Sequence, residues 1–254
     1  MARTAVLLAV LAAVAGALAG CATTAPDRPN VSATIVLEGA PTAYDVGIYV
    51  ASTRGYDEAE GVRLLIRAAA TPATGLRRLR AGSATFAVLD VHDLAIARER
   101  GDDVVGVMAI SQLPAAARAR AALRAHGRAV LAKRLDFDRA PPYPELVLAT
   151  TGQTLREQPS VPRAAVAAIA RGYAEELDDP EVALALELAR VSPRRAAALK
   201  AQLPRIEPSF LGVGDEVGAF DRAALAQWAR WEARVGIGAR PPSIDAMFPP
   251  LPGR

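Results

Sequence analysis

Residues Thr34 to Ile110 read TIVLEGAPTAYDVGIYVASTRGYDEAEGVRLLIRAAATPATGLRRLRAGSATFAVLDVHDLAIARERGDDVVGVMAI, and this stretch decides the fold. Four short apolar runs, Thr34–Glu38, Val62–Arg67, Thr85–Leu89 and Val104–Ile110, alternate with segments at helical spacing near Tyr44–Arg54, Thr74–Ala81 and Val91–Arg100. Gly55, Gly82 and Gly101 stand where those helices should stop, since glycine accepts the left-handed conformation that closes a helix. The order is βαβαβαβ. Each connection is long enough for a crossover helix, which predicts a parallel sheet, and such sheets bind ligands beyond the C-terminal ends of their strands. Four places are thereby nominated: Glu38 to Tyr44, Ala68 to Thr74, Asp90 to Asp93, and Ser111-Gln112.

Downstream the pattern changes. Pro114 to Ala140 is dominated by alanine and arginine, with one apolar patch at Val130-Leu131, and is compatible with a single helix. Tyr143 to Thr150 restores a strand signal, and the remainder reads as helical. Ser160 begins a helix with Val161, Ala165, Ile169, Tyr173 and Leu177 on one stripe. Asp179-Pro180 and Ser192-Pro193 have the form of an N-cap followed by an N1 proline. Asp221 opens another helix, carrying Leu225, Trp228 and Trp231 and closed by Gly236; the tryptophans, three residues apart, suit packing better than a ligand cage. The chain shows no internal repeat.

Upstream, Arg3 precedes an apolar stretch from Ala5 to Ala19, too short to cross roughly 30 Å of hydrocarbon at about 1.5 Å per residue. It reads as a signal peptide. Leu18-Ala19-Gly20-Cys21 resembles the bacterial lipobox, in which cleavage before the cysteine leaves a thiol that is diacylglycerylated; Cys21 is the only cysteine in the chain. Ala22 to Asn30 has linker composition. The expected placement is the extracytoplasmic face of a bacterial cell membrane, with the folded part tethered as a lipoprotein.

Composition excludes several classes. With 254 residues, 52% hydrophobic and 22% charged, the chain can bury a substantial core. Thirty Lys and Arg against 27 Asp and Glu leave +3, scattered along the chain, which argues against a nucleic-acid partner. Lys133 and Lys200 are the only lysines, so Schiff-base and P-loop chemistry have little to work with. His92 and His126 beside one cysteine make a poor metal set. No glycine-rich phosphate loop or Gly-x-Ser-x-Gly elbow occurs. Glu38, Asp90 and Asp93 could form an acid pair, but carboxylates near strand ends are more often helix caps or ligand acceptors.

The run Glu38-Gly39-Ala40-Pro41-Thr42-Ala43-Tyr44, then Gly47-Ile48-Tyr49-Val50-Ala51 and Arg54-Gly55-Tyr56, resembles the signature of a known family. So does Ala81-Gly82 with Phe86-Ala87-Val88 and, after it, Asp93-Leu94-Ala95. The family is the solute-binding proteins of ABC importers related to thiamine-pyrimidine synthase, including uptake lipoproteins for hydroxymethylpyrimidine, formylaminopyrimidine and riboflavin and the sulfonate-binding SsuA type. The resemblance runs from about Thr34 to Leu113 and resumes from Tyr143 to Phe248. It implies an α/β fold of the type II periplasmic-binding-protein kind, in which two lobes close on a ligand. Only residues 115–142 lie between Pro114 and Tyr143, where the family places most of a second lobe. The expected organisation is a signal peptide over 1–20, a lipidated linker over 21–33, one largely complete parallel-sheet lobe over 34–112, a truncated second-lobe remnant over 113–142, and a return strand with a helical C-terminal region over 143–254.

The resemblance also implies the site. Glu38, Asp45, Asp90 and Asp93 would accept hydrogen bonds from a ligand rich in N–H donors, such as an aminopyrimidine; Thr42 lies in the same motif, and Tyr44 offers a ring to stack on. Asp45 and Asp93 are equally suited to capping the helices that follow. His92 is either a polar contact or an exposed helix residue. Gln112 lies where the chain would leave the first lobe, and Glu145 where it would return. Fungal-type pyrimidine synthases of the same family hold pyridoxal phosphate on a lysine after the third strand; this chain has Leu89 there, Asp93 in place of a histidine, and no cysteine after Cys21. A binding protein rather than an enzyme is therefore expected: monomeric, without cofactor or metal, partnered by a small ligand, an ABC permease and the membrane. The rivals are a biosynthetic protein of the synthase type and a degenerate one-lobe lipoprotein.

Overall fold

The structure, a computed structural model, describes residues 31–112, 116–180 and 193–252. The expected signal peptide, Cys21, most of the linker, Leu113 and the helix expected after Asp179-Pro180 lie outside the described residues. β1 (Val31–Val36) starts inside the stretch expected to be linker and leads through a 3-10 turn (Ala43–Asp45) into α1 (Val46–Thr53) and α2 (Tyr56–Ala59). There follow β2 (Val62–Arg67), α3 (Ala73–Arg80), β3 (Phe86–Asp90), α4 (Val91–Glu99) and β4 (Val104–Ser111). After these come α5 (Ala116–Ala125), α6 (Ala129–Arg134), β5 (Leu146–Thr151), α7 (Gly152–Glu157) and α8 (Ser160–Asp178). The C-terminal part contributes α9 (Pro193–Lys200), α10 (Leu203–Ile206), α11 (Arg222–Arg234) and α12 (Ile244–Met247).

The five strands form one sheet in the order β2-β1-β3-β5-β4. β1 is parallel to β2 and β3. The expectation of a purely parallel sheet needs correction: β5 lies between β3 and β4 and is antiparallel to both. β4 runs in the same sense as β3 but one strand-width away, and the returning chain fills that gap. The register sets Asp90 opposite Leu146, so the end of β3 meets the start of β5. Val91 N–H donates to Glu145 O at 3.0 Å and Glu145 N–H to Ser111 O at 2.7 Å, which fixes Glu145 between two strand ends.

Both faces of the sheet are covered, as expected of strands that read as continuous apolar runs. Phe86 and Val88 point into a core shared with α1 and α8, and Ala87 and Leu89 into one shared with α3, α4 and α11. On α8 the stripe Val161, Ala165, Ile169 and Tyr173 is buried, and on α11 so are Leu225, Trp228 and Trp231. Asp221 caps α11 by accepting from Ala223 and Ala224 N–H, both at 2.9 Å, an arrangement worth about 1 kcal/mol. The outer edge of β4 is closed by the C-terminal segment, with Ala109 N–H donating to Gly218 O at 3.0 Å.

Residues 114–140, read as compatible with one helix, form two helices and a 3-10 turn (Phe137–Arg139) among the described residues. The break is at Gly127, whose φ of +77° is a left-handed conformation that glycine adopts without strain. This segment packs on α4 and β3. The described residues contain a single sheet, and none of their helices is long and apolar enough to cross a membrane.

Candidate functional site

The loops after β1 and β2 and the first turns of α5 border an open cavity of about 460 Å³ at the C-terminal ends of the parallel strands. Glu38, Thr42 and Asp45 line it from the β1 side, Ala69 to Pro72 from the β2 side, and Ala117, Arg118 and Ala121 from α5. The β1 loop is held by its own polar groups. Thr42 N–H and Oγ1 both donate to Asp45 Oδ2, at 2.7 and 2.9 Å, so Asp45 closes the turn in front of α1. Tyr173 Oη, from α8, donates to Tyr44 O at 2.6 Å and fixes the same turn from the core side.

Arg118 organises this site. Its guanidinium hydrogen-bonds Glu38 through Nη1, lies 3.1 Å from Glu145 through Nε, and stands over the Tyr44 ring at 4.9 Å from the centroid. Three of the sequence-derived candidates, Glu38, Tyr44 and Glu145, thus meet on one planar cation. Burial pushes the Glu38 carboxyl above its ordinary value, although the Arg118 charge pulls the other way. Burial also opposes the charge on Arg118, but Glu38 and Glu145 outweigh it and hold the guanidinium pKa above its usual value.

Beneath this lies a second polar cluster. Asp90 caps α4 by accepting from His92 N–H at 2.8 Å. His92 is fully buried; its Nδ1 hydrogen-bonds Glu232 of α11, and its ring is surrounded by Phe137, Tyr143, Trp228 and Trp231. Of the two alternatives the sequence offered, it is not an exposed helix residue, and its polar contact is with Glu232 rather than at the cavity wall. Burial pushes Asp90 up to about 7 against the opposing charge of His92. Burial disfavours the imidazolium too, but the hydrogen bond and charge of Glu232 lift the His92 pKa above its ordinary value. Asp93 does not cap α4, since Asp90 holds that place; it pairs with His126 Nε2 at 2.8 Å. Gln112 faces the protein, its Nε2 donating to Ala219 O at 2.8 Å and its backbone N–H to Ser209 O at 2.7 Å.

Of the nine expected ligand-binding residues, Glu38, Thr42, Tyr44, Asp45 and Glu145 gather at the cavity or on Arg118, while Asp90, His92, Asp93 and Gln112 are engaged in protein contacts around it. Arg118, Glu232 and Tyr143 escaped the sequence reading. An arginine in an Ala/Arg-rich helix carries no sign that it faces inward, and only the placement of Glu38 and Glu145 reveals it. Chemically, the site offers carboxylates and an aromatic face, suited to a flat group with several N–H donors. Among the described residues no group of three or more His, Cys, Asp or Glu is placed to hold a metal ion.

A family model described as NMT1/THI5 like matches residues 42–122, from the Thr42 turn to the middle of α5. No curated protein sequence matches the chain. Among solved structures, a ligand-binding component of an ABC-type import system from Staphylococcus aureus, with zinc bound, aligns with a TM-score of 0.62 at 11% identity, covering 87% of this chain and 97% of that one. The periplasmic aliphatic sulphonate binding protein SsuA from Escherichia coli aligns with a TM-score of 0.57 at 11% identity, over 88% and 94%. A Candida albicans gene product, described as having the generic periplasmic binding protein structural fold, aligns at 0.55 and 10% identity, over 86% and 93%. At these identities the likeness establishes architecture, and the chain has the periplasmic-binding-protein fold.

Proposed function

We propose that the chain is the extracytoplasmic solute-binding component of an ABC importer, anchored by acylation of Cys21, and that its ligand is a thiamine-precursor-like pyrimidine or a similar heteroaromatic. The fold and the NMT1/THI5-like match over residues 42–122 support the receptor class. The observation that carries the ligand class is the seating of the Arg118 guanidinium on Tyr44 between Glu38 and Glu145, because an aminopyrimidine likewise brings amino N–H donors in the plane of a flat π system. On this reading the chain comprises a signal peptide (1–20), a tether that gives way to β1 near Val31, a ligand-binding lobe to residue 112, a shortened second-lobe remnant over 113–142, and a return strand with helices that pack on the first lobe. A permease is the protein partner, and the receptor works as a monomer.

A second reading, a one-lobe lipoprotein without a transported ligand, is favoured by one observation: α5 roofs the strand-end cavity where a second lobe would otherwise close. A thermal-shift series on the purified full chain with aminopyrimidines, thiamine, riboflavin and alkyl sulfonates separates the two. A ligand present at 100 times its dissociation constant adds about 2.7 kcal/mol to stability. A rise with an aminopyrimidine but not with sulfonates is the expected outcome. A melting temperature that no ligand moves would retire the receptor reading in favour of the second.

A further inference from the structure

Glu145 is 1% exposed and Glu38 largely buried, and a carboxylate brought this far out of water needs a cation beside it. The chain supplies one from a roof helix, not from the sheet that carries the acids: Arg118 is 80 residues from Glu38. The guanidinium also lies over the Tyr44 ring, so it combines the kinds of contact open to a flat organic cation there: a hydrogen-bonded ion pair with Glu38, a close charge contact with Glu145 and a cation–π contact with the ring. The cavity continues past it, bounded by Ala117 and Ala121 of α5 and by Ala69 to Pro72 of the β2 loop, with no further charge from α5 itself. Beyond its other end α5 is tied down separately, His126 to Asp93 at 2.8 Å, so its first turn has Arg118 as its polar tie to the sheet.

We propose that Arg118 is a built-in surrogate ligand: its guanidinium occupies the cation subsite formed by Glu38, Glu145 and Tyr44, and a free ligand bearing a planar amidinium or guanidinium group enters by displacing it. This rests on the receptor reading above and narrows it. Affinity for such a ligand is reduced by the fraction of time Arg118 spends in the subsite, which makes the first turn of α5 a competitive gate. An ammonium of equal charge is a poor competitor, because it is a compact, strongly hydrated point charge without the spread of N–H groups and the weakly hydrated face that let a guanidinium reach two carboxylates while resting against an aromatic ring.

The test is calorimetric titration of the full chain with benzamidine, methylguanidinium and methylammonium, using the wild type, Arg118→Ala and Arg118→Lys. Arg118→Ala is expected to bind benzamidine at least tenfold more tightly than the wild type and to gain melting temperature from methylguanidinium but not from methylammonium. Should Arg118→Ala fail to fold, Arg118→Lys keeps the charge and the stem, and at least threefold tighter benzamidine binding than wild type is expected. In the wild type, benzamidine should raise amide hydrogen exchange in residues 116–125. Equal benzamidine affinity across the wild type and whichever variants fold, or no preference over methylammonium, overturns the proposal. A pyrimidine arm keeps the two readings apart. Tight benzamidine binding by Arg118→Ala without pyrimidine binding upholds the subsite and removes only the pyrimidine. Pyrimidine binding that is indifferent to Arg118, with no amidinium preference, upholds the receptor and overturns the surrogate.

Discussion

Tyr173 shows how a core residue reaches the site. Its ring is buried against Phe210, with centroids 4.8 Å apart, and its hydroxyl donates to the Tyr44 carbonyl, so one side chain joins the α8 core to the turn that presents the Tyr44 ring. Tyr173→Phe keeps the packing and removes that donor. Urea denaturation should show a loss of about 1 kcal/mol, the usual net worth of such a bond. Benzamidine binding should weaken by roughly threefold as the Tyr44 turn loosens, equivalent to a fraction of a kcal/mol; unchanged stability would mean that the Tyr44 carbonyl is satisfied without Tyr173. At this scale the sequence was legible where the signal is local. The motif from Glu38 to Tyr44 led to the cavity wall, and Asp221 led to a helix cap. It was illegible where the partner lies far along the chain: nothing near Arg118 marks it as facing Glu38, and nothing near His92 announces Glu232, 140 residues away.

At the scale of elements, α1 and α8 cross glycine against glycine. A Cβ on Gly172 would fall on the Gly47 carbonyl oxygen and within 2.9 Å of Ala51 N, and one on Gly47 would enter the Tyr173 ring. These obstacles are backbone and a buried ring, so neither yields cheaply. Gly172→Ala gains about 1 kcal/mol of helix propensity but incurs overpacking of about 1–3 kcal/mol. Equilibrium unfolding is therefore expected to show a net loss on the order of 1 kcal/mol. On the exposed side of the same helix, Arg163→Ala should stay within about 0.5 kcal/mol of the wild type and serves as the control. A Gly172→Ala protein as stable as the wild type would mean that the two helices can separate without cost. The strands and helices from Thr34 to Ile110 were readable because their periodicity and their stopping glycines are local properties. The place of β5 was not, since inserting a returning strand between β3 and β4 is decided by which ladder is left open and leaves no mark on the strand's own residues. Nor was the break in the Ala/Arg-rich segment read, although Gly127 supplied the clue.

For the molecule as a whole, four carboxyls in buried or half-buried places are shifted in one direction. Burial pushes Asp90 and Glu176 up to about 7, and it also raises Glu38 and Glu232. His92 is raised as well, by Glu232 in spite of burial. A carboxyl whose folded pKa exceeds its unfolded value of about 4 binds more protons folded than unfolded across that interval, so stability falls as pH rises through it. A histidine with a raised folded pKa acts in the same sense, giving stability that is present below its unfolded value of 6.5 and lost as pH rises through the folded one. Glu99 works the other way, lowered by the Ala239 N–H and by Arg128, but its effect is confined to pH below about 4.5. The melting temperature should therefore be highest near pH 5 and drop by on the order of 5 °C toward pH 8. Asp90→Asn keeps a good helix cap while removing one titrating group, so it should flatten that profile without lowering stability at pH 8. A wild-type melting temperature that rises from pH 5 to pH 8 would show that the carboxyls ionise in the folded state without penalty, and would require water or a cation among Asp90, His92 and Glu232. The cavity shares in the same balance, because Glu38 belongs to both sets. In the wild type an amidinium ligand replaces one cation by another beside Glu38, so its affinity should change little between pH 5 and pH 8, whereas in Arg118→Ala the cation arrives at a carboxyl raised by burial and by the charges of Asp93 and Asp45 with no guanidinium to oppose them, and affinity should climb with pH as Glu38 ionises.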